Sequence, residues 1–299
     1  MSRPRIAVIG LGDIAEKAYL PVLAARDDVS LVLVTRNAAT LARLGAQYRL
    51  PEQYTQLAPA IAAGLDGAFV HAATQAHGDI VSELIRFGVP VFVDKPLAYS
   101  YRDCAALVEQ ARTAGVGLMV GFNRRYAPAY REIADWPQRD VVVMQKNRAG
   151  PLEDPRQSVF DDFIHVVDTV RFLGPAVKQA AVTGEVVDGT LRHVSITLTD
   201  GHRGAVGIMS RVAGMTDECL EVLGPGRKRR VVNMSEIIDF DGAEQTTRRD
   251  EWRSVGVQRG FAPMCESFLA GLRGRNLPDV EDALLTHGMC EDIVTALAH

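Results

Sequence analysis

In the stretch VPVFVDKPLAYS a lysine, Lys95, stands directly before Pro96 at the end of an apolar run. Lysine is seldom buried without a partner, and a residue before proline is pushed toward extended geometry. The sequence therefore predicts a cation held at a strand end on a locally rigid backbone. Such a charge can stabilise a developing alkoxide or polarise a carbonyl. A second group, Asp161, His165 and Asp168, falls at i, i+4 and i+7 in SVFDDFIHVVDTVRFL. On a helix that spacing puts a carboxylate one turn from an imidazole, where it orients the ring and raises its basicity for general acid–base work. The competing reading is local: Ser158-x-x-Asp161 matches a capping box, in which Asp161 only serves backbone N–H groups. One histidine with two carboxylates has no metal-ligand spacing, so no metal is expected.

The third group is Gly10-Leu11-Gly12-Asp13-Ile14-Ala15, a G-x-G-x-x-A turn directly after the apolar run RIAVIG. Between a strand and a helix, such glycines let the backbone approach a pyrophosphate, whose charge meets the N–H groups at the helix N-terminus. The second apolar run ends at Thr35-Arg36-Asn37, where a site for NAD(H) carries an acid on the ribose 2′-hydroxyl. No acid is present, and Arg36 can pair with a 2′-phosphate, so NADP(H) is favoured, with NAD(H) as the alternative. The bland reading of Arg36 is a solvated surface arginine.

These residues need elements to hold them. Over the first ~120 residues short apolar runs (RIAVIG, VSLVLVT, GAFVHA, VPVFVD, GLMVGF) alternate with helix-length amphipathic segments, including Ile14 to Arg26 and Tyr101 to Ala114. This is the pattern of repeated βαβ units, an α/β doubly wound parallel sheet of the Rossmann type. After Phe122 longer alternating runs joined by hairpin turns, VVDGTLRHVSITLTDGHRGAVGIMS and LEVLGPGRKRRVVNM, predict an α+β part: an open, mostly antiparallel sheet with helices on one face. One helix, FDDFIHVVDTVRFLG, interrupts it, and FAPMCESFLAGLRG and VEDALLTHGMCEDIVTALA close the chain. GPLEDPRQS reads as an irregular loop. The expected organisation is a dinucleotide-binding domain over 1–121 and a substrate-binding and dimerisation domain over 122–299.

Composition narrows the function classes. The 299 residues carry a formal net charge of -4 with signs mixed along the chain, which gives no electrostatic footprint for nucleic acid or an anionic membrane. Apolar stretches are strand-sized, no targeting segment is expected, and Cys104, Cys219, Cys265 and Cys290 lack paired spacing, so they read as reduced packing residues of a cytoplasmic protein. An open sheet with both faces partly apolar predicts a homodimer or higher homo-oligomer.

Taken together, GLGDIAEKAYLPVL, HAATQAH, VDKPLA, GFNRRYAP and DDFIHVVD resemble the glucose-fructose oxidoreductase / inositol dehydrogenase (Gfo/Idh/MocA) family, nearest its MviM-like branch. The resemblance spans nearly the whole chain. It implies hydride transfer between a nicotinamide cofactor and a secondary alcohol or ketone of a sugar, polyol or related small molecule. It matches Lys95 to the family's E-K-P lysine at the reacting oxygen, His165 to its proposed general acid/base, and Asp161 to the preceding acid. Asn123 and Arg124 fall where the family lines its substrate cleft, and Ala72, Ala73, His77 and Asp94 fall beside the cofactor. Three departures bear on the substrate pocket: Asp94 replaces the motif glutamate, Ala72-Ala73 replaces Thr-Pro, and RQSVFDDF replaces a glycine-rich approach. A cofactor-binding sensor without turnover is the rival class, since fold alone never proves chemistry.

Overall fold

A computed structural model describes residues 3–248, 251–274, 277 and 280–298, and divides the chain into two compact units. One comprises the residues up to Gly121 with the segment Phe261–Leu284; the other comprises Phe122–Gly260 with the residues from Leu285 on. Phe261–Leu284, which sequence placed with the second part, thus returns to the first. Helical periodicity shows that a segment has an apolar stripe, but not which sheet that stripe covers.

The first unit is a six-stranded parallel sheet: β1 (Arg5–Ile9), β2 (Ser30–Val34), β3 (Gln53–Tyr54), β4 (Gly67–Val70), β5 (Val91–Asp94) and β6 (Leu118–Gly121), in the order β3-β2-β1-β4-β5-β6. The central strands are buried on both faces, which explains their near-continuous apolar runs. Order reverses between β1 and β4, the switch point where such folds bind ligands at the carboxyl ends of the strands. Helices at 13–23, Ala38–Tyr48, Leu57–Ala62, Thr74–Arg86 and Tyr101–Ala114 make the crossovers. Their punctuation is chemical: the Ser100 hydroxyl accepts from Asp103 N–H (3.1 Å), and Gly115 ends that helix in the left-handed region at φ 65°. The first helix contains a π turn, Ala15–Tyr19, that leaves Ala15, Ala18 and Tyr19 buried. Phe261–Gly274 covers the sheet with Phe268, whose ring lies 4.9 Å from Phe69 edge-on.

The second unit holds β7 (Val141–Asn147), β8 (Gln179–Val187), β9 (Thr190–Thr199), β10 (Gly204–Ser210), β11 (Asp217–Gly224), β12 (Arg227–Val232), β13 (Glu236–Phe240) and β14 (Glu244–Arg248), ordered β14-β13-β12-β11-β7-β10-β9-β8. Every pairing is antiparallel except β7 with β10. Burial alternates residue by residue along β10 and β11, the mark of a sheet covered on one face. The cover is a helix over 155–173, whose Phe160, Phe163, Ile164, Val167 and Val170 are fully buried, as their spacing requires. It approaches closely at Gly207, where an added Cβ would stand 2.7 Å from Val166 Cγ1.

That helix begins earlier than the sequence suggests. Asp154 Oδ1 accepts from Gln157 N–H (3.0 Å) and Pro155 takes the first helical position, so the irregular loop ends at Asp154. Ser158 is internal and its hydroxyl donates to Glu153 O (3.4 Å), so the capping-box reading of Ser158 and Asp161 fails. The same helix carries a π turn at Val159–Phe163. Among the described residues no helix is long and apolar enough to cross a membrane, and all four cysteines are free.

Candidate active site

At the switch point of the first unit lies a cleft of about 630 Å³ lined by Gly10, Gly12, Thr35, Arg36, Ala72 and Ala73, among others. Gly10 is in the left-handed region (φ 84°), and a Cβ there would stand 2.4 Å from Ala72 N, so no other residue lets the two loops pass. Gly12 faces open space, which leaves the backbone at the start of the 13–23 helix accessible. The cradle fits a dinucleotide: Gly10 and Gly12 leave room for a pyrophosphate against the helix N-terminus, and Asp13 and Ile14 are exposed in the first turn of that helix. Asp13 itself pairs with Lys17 one turn on. At the end of β2, Asn37 Oδ1 caps the next helix by accepting from Thr40 N–H (3.1 Å), and Arg36 is exposed with no carboxylate partner among the described residues.

Lys95 follows β5, half-buried, and its peptide bond to Pro96 is cis. Asp94 Oδ1 accepts from the Lys95 backbone N–H (2.8 Å). Burial pushes the Asp94 carboxyl up to about 6, against the pull of the Lys95 ammonium and N–H. His77 is buried with Nδ1 2.9 Å from Pro96 O and Nε2 2.9 Å from Ala72 O, so it ties the Lys95–Pro96 turn to the loop after β4. His71 is buried beside it and pulled down to about 3 by desolvation and then by His77, so it is neutral.

In the second unit Asp161 and His165 lie half-buried on the 155–173 helix. Their neighbour Asp162, which sequence reading passed over, anchors the segment: Oδ1 accepts from Lys146 Nζ (2.8 Å) and Arg148 Nε (2.7 Å), and Oδ2 from Arg211 Nη1 (2.8 Å). Burial opposes its charge, but Lys146 and Arg148 hold the carboxyl well below the usual range. Lys146 is brought down to about 7 by burial and by Arg124. Asp168 is buried and accepts from Arg125 Nε (2.9 Å) and the Thr286 hydroxyl (3.1 Å), so it packs the helix rather than continuing the Asp161–His165 face. Arg124 is buried in a bidentate pair with Glu218, which also accepts from the Tyr130 hydroxyl (2.8 Å). Asn123 Nδ2 donates to Arg259 O (2.8 Å). Both residues, expected to line the substrate cleft, thus engage their polar groups within their own unit. The one sequence signal for the Asp162 anchor is the Asp161-Asp162 doublet, since its partners lie 14 to 49 residues away.

A parallel sheet with a glycine cradle at its switch point, followed by an open mixed sheet, defines a dinucleotide-dependent oxidoreductase architecture. Residues 4–122 match the model of the oxidoreductase family with an NAD-binding Rossmann fold (Gfo/Idh/MocA), and residues 128–240 match the YceM-like C-terminal domain. The chain is 32% identical over 96% of its length, and 96% of the relative's, to the protein named as the oxidoreductase YceM of Salmonella typhimurium. It is 31% identical to the myo-inositol dehydrogenase Hyg17 of Streptomyces leeuwenhoekii over 74% of this chain and 69% of that one. Among solved structures, a Gfo/Idh/MocA family oxidoreductase from Vibrio cholerae superposes with a TM-score of 0.93 at 31% identity, covering 99% of this chain and 98% of that one. The chain belongs to the Gfo/Idh/MocA oxidoreductase family.

Proposed function

We propose that this oxidoreductase uses NADP(H) in preference to NAD(H) and converts a secondary alcohol of a sugar, polyol or related small molecule to the ketone, or the reverse. The observation that carries the cofactor preference is Arg36, exposed on the cleft at the end of β2 with no acid beside it. A nicotinamide supplies hydride acceptance or donation when bound. The protein's part is to hold the reacting oxygen and move its proton. Lys95, on the turn that His77 and Asp94 fix, stabilises the oxygen as charge develops on it. His165 takes the hydroxyl proton, with Asp161 as its orienting acid. The inositol dehydrogenase identity of the Streptomyces relative supports a polyol-like substrate.

The first unit serves the cofactor and the second the substrate. The partly exposed face of the eight-stranded sheet, with Val143 beside Val206, is the proposed seat of a homodimer in the cytoplasm. Absorbance of the nicotinamide across polyols, sugars and keto compounds, with NADPH and NADH in parallel, tests the reading. Lys95→Ala is expected to abolish turnover and leave cofactor affinity nearly unchanged. Arg36→Ala is expected to weaken NADPH binding at least ~10-fold and leave NADH binding unchanged, as loss of a phosphate contact requires. Tight cofactor binding with no turnover on a broad panel would favour the sensor instead.

A further inference from the structure

Three buried polar atoms of the first unit, His71 Nδ1, His71 Nε2 and the Tyr19 hydroxyl, have no hydrogen-bond partner among the described residues. Unsatisfied polar groups are costly and rare in native interiors, and three in one place call for an explanation. Two of them, His71 Nδ1 and the Tyr19 hydroxyl, face one carboxylate, Asp94. His71 follows β4 and Asp94 ends β5, so both stand at the carboxyl edge of the sheet next to Lys95. The Tyr19 ring lies against the His71 ring (centroids 3.8 Å apart, 30° between planes), and its hydroxyl faces Asp94 without closing a hydrogen bond. His71 Nδ1 stands 3.9 Å from Asp94 Oδ2, while Asp94 Oδ1 holds the Lys95 N–H.

We propose that Asp94 is a positioning residue for Lys95, and that its burial against His71 and Tyr19 sets its ionisation. As a carboxylate, Asp94 holds the Lys95 N–H through Oδ1 and presents its charge to the ammonium. A proton from solvent on Oδ2 makes an O–H that has the neutral Nδ1 of His71, 3.9 Å away, to turn toward. The carboxyl turns toward that nitrogen, and Lys95 loses both the acceptor and the charge. The high Asp94 and low His71 values agree, because between them a protonated carboxyl coexists with a neutral imidazole. The other groups facing Asp94 are Lys95 on its own turn, Tyr19 on the 13–23 helix and Cys265 on Phe261–Gly274, whose thiol burial pushes up to about 12 and keeps uncharged. Behind them stand His77, against His71, and Arg26, against Cys265.

The effect on turnover rests on the proposed role of Lys95; the ionisation itself does not. Ring-¹⁵N histidine spectra of the full chain from pH 4.5 to 8 are expected to show His71 neutral throughout, with a perturbation of midpoint near 6 that disappears in Asp94→Asn. Tyr19→Phe, which removes a hydroxyl favouring the charged carboxylate, is expected to move that midpoint upward. Protonation of His71 itself in this range, or a midpoint unchanged by Asp94→Asn, overturns the proposal. In Asp94→Asn kcat is expected to fall at least ~10-fold at pH 8 with KM nearly unchanged. Retention of full kcat by Asp94→Asn would overturn the positioning role. A silent activity assay beside the expected NMR titration would indict the enzymatic reading alone.

Discussion

Gly10 shows how a single position links backbone geometry to the shape of a cleft. Its left-handed φ and its approach to Ala72 leave no volume for a side chain, so Gly10→Ala must shift one of two loops that both border the proposed cofactor cleft. We expect a stability loss of at least about 2 kcal/mol, from backbone strain and displaced packing, together with loss of dinucleotide affinity. Urea unfolding and fluorescence titration with NADPH measure the two effects. Gly12, whose Cβ position is open, separates them: Gly12→Ala is expected to cost affinity with little stability. Asp94 illustrates the opposite balance at the same edge of the sheet. Because its folded value lies above its ordinary 3.8, the folded state binds the extra proton between about 3.8 and 6. Stability from this group therefore falls as pH rises through that window, and at neutral pH the buried charge is a cost on the order of 3 kcal/mol. Asp94→Asn should accordingly raise Tm at pH 8 while it lowers turnover.

At the scale of the element, the 155–173 helix is fixed by charge as well as by its apolar stripe. Asp162 answers Lys146 and Arg148, at and just after the end of β7, and Arg211, just after β10, and so pins the π turn in front of His165. π turns inside α-helices gather at functional sites, where one extra residue re-aims the side chains around it. Asp162→Asn leaves three cations facing a neutral amide, and a loss on the order of 3 kcal/mol is expected in denaturant unfolding. The pH sign follows from a folded value held below 3.8: the stabilisation is complete at neutral pH and is lost as pH falls below about 3.8. Glu218, held low by Arg124 despite its burial, adds to the same acid lability. The existence and face of this helix were legible in Phe160, Phe163, Ile164, Val167 and Val170. Its start was not, because Pro155 reads equally as a loop residue until Asp154 is seen to cap it.

On the scale of the whole molecule, the two units draw on the chain differently. Both are interrupted in sequence, but the first, to which Phe261–Gly274 returns, is built on a parallel sheet and the second around one long mixed sheet. On the less covered face of that sheet Val143 pairs in register with Val206, and Ile208 projects to the same side two residues on. A charge at the centre of that face is expected to separate a dimer without disturbing the opposite, buried face. Light scattering of Ile208→Lys should therefore report a monomer with unchanged far-UV circular dichroism; a wild-type monomer would remove the proposed interface.

By itself the sequence determined the parallel sheet, the glycine turn at Gly10 and Gly12, the absence of an acid at Arg36, the apolar stripe of the 155–173 helix and the strand-end place of Lys95. All of these rest on short-range rules: hydrophobic period, glycine freedom and the constraint before proline. Only the tertiary structure decided which charges neutralise one another. Arg124 went to Glu218, 94 residues away, and Asp162 to three cations at the ends of β7 and β10, while Asp94 met His71 and Tyr19 from separate elements. Ion pairing and burial depend on distances across the fold, and those are set by the packing of sheets and helices rather than by any local run of residues.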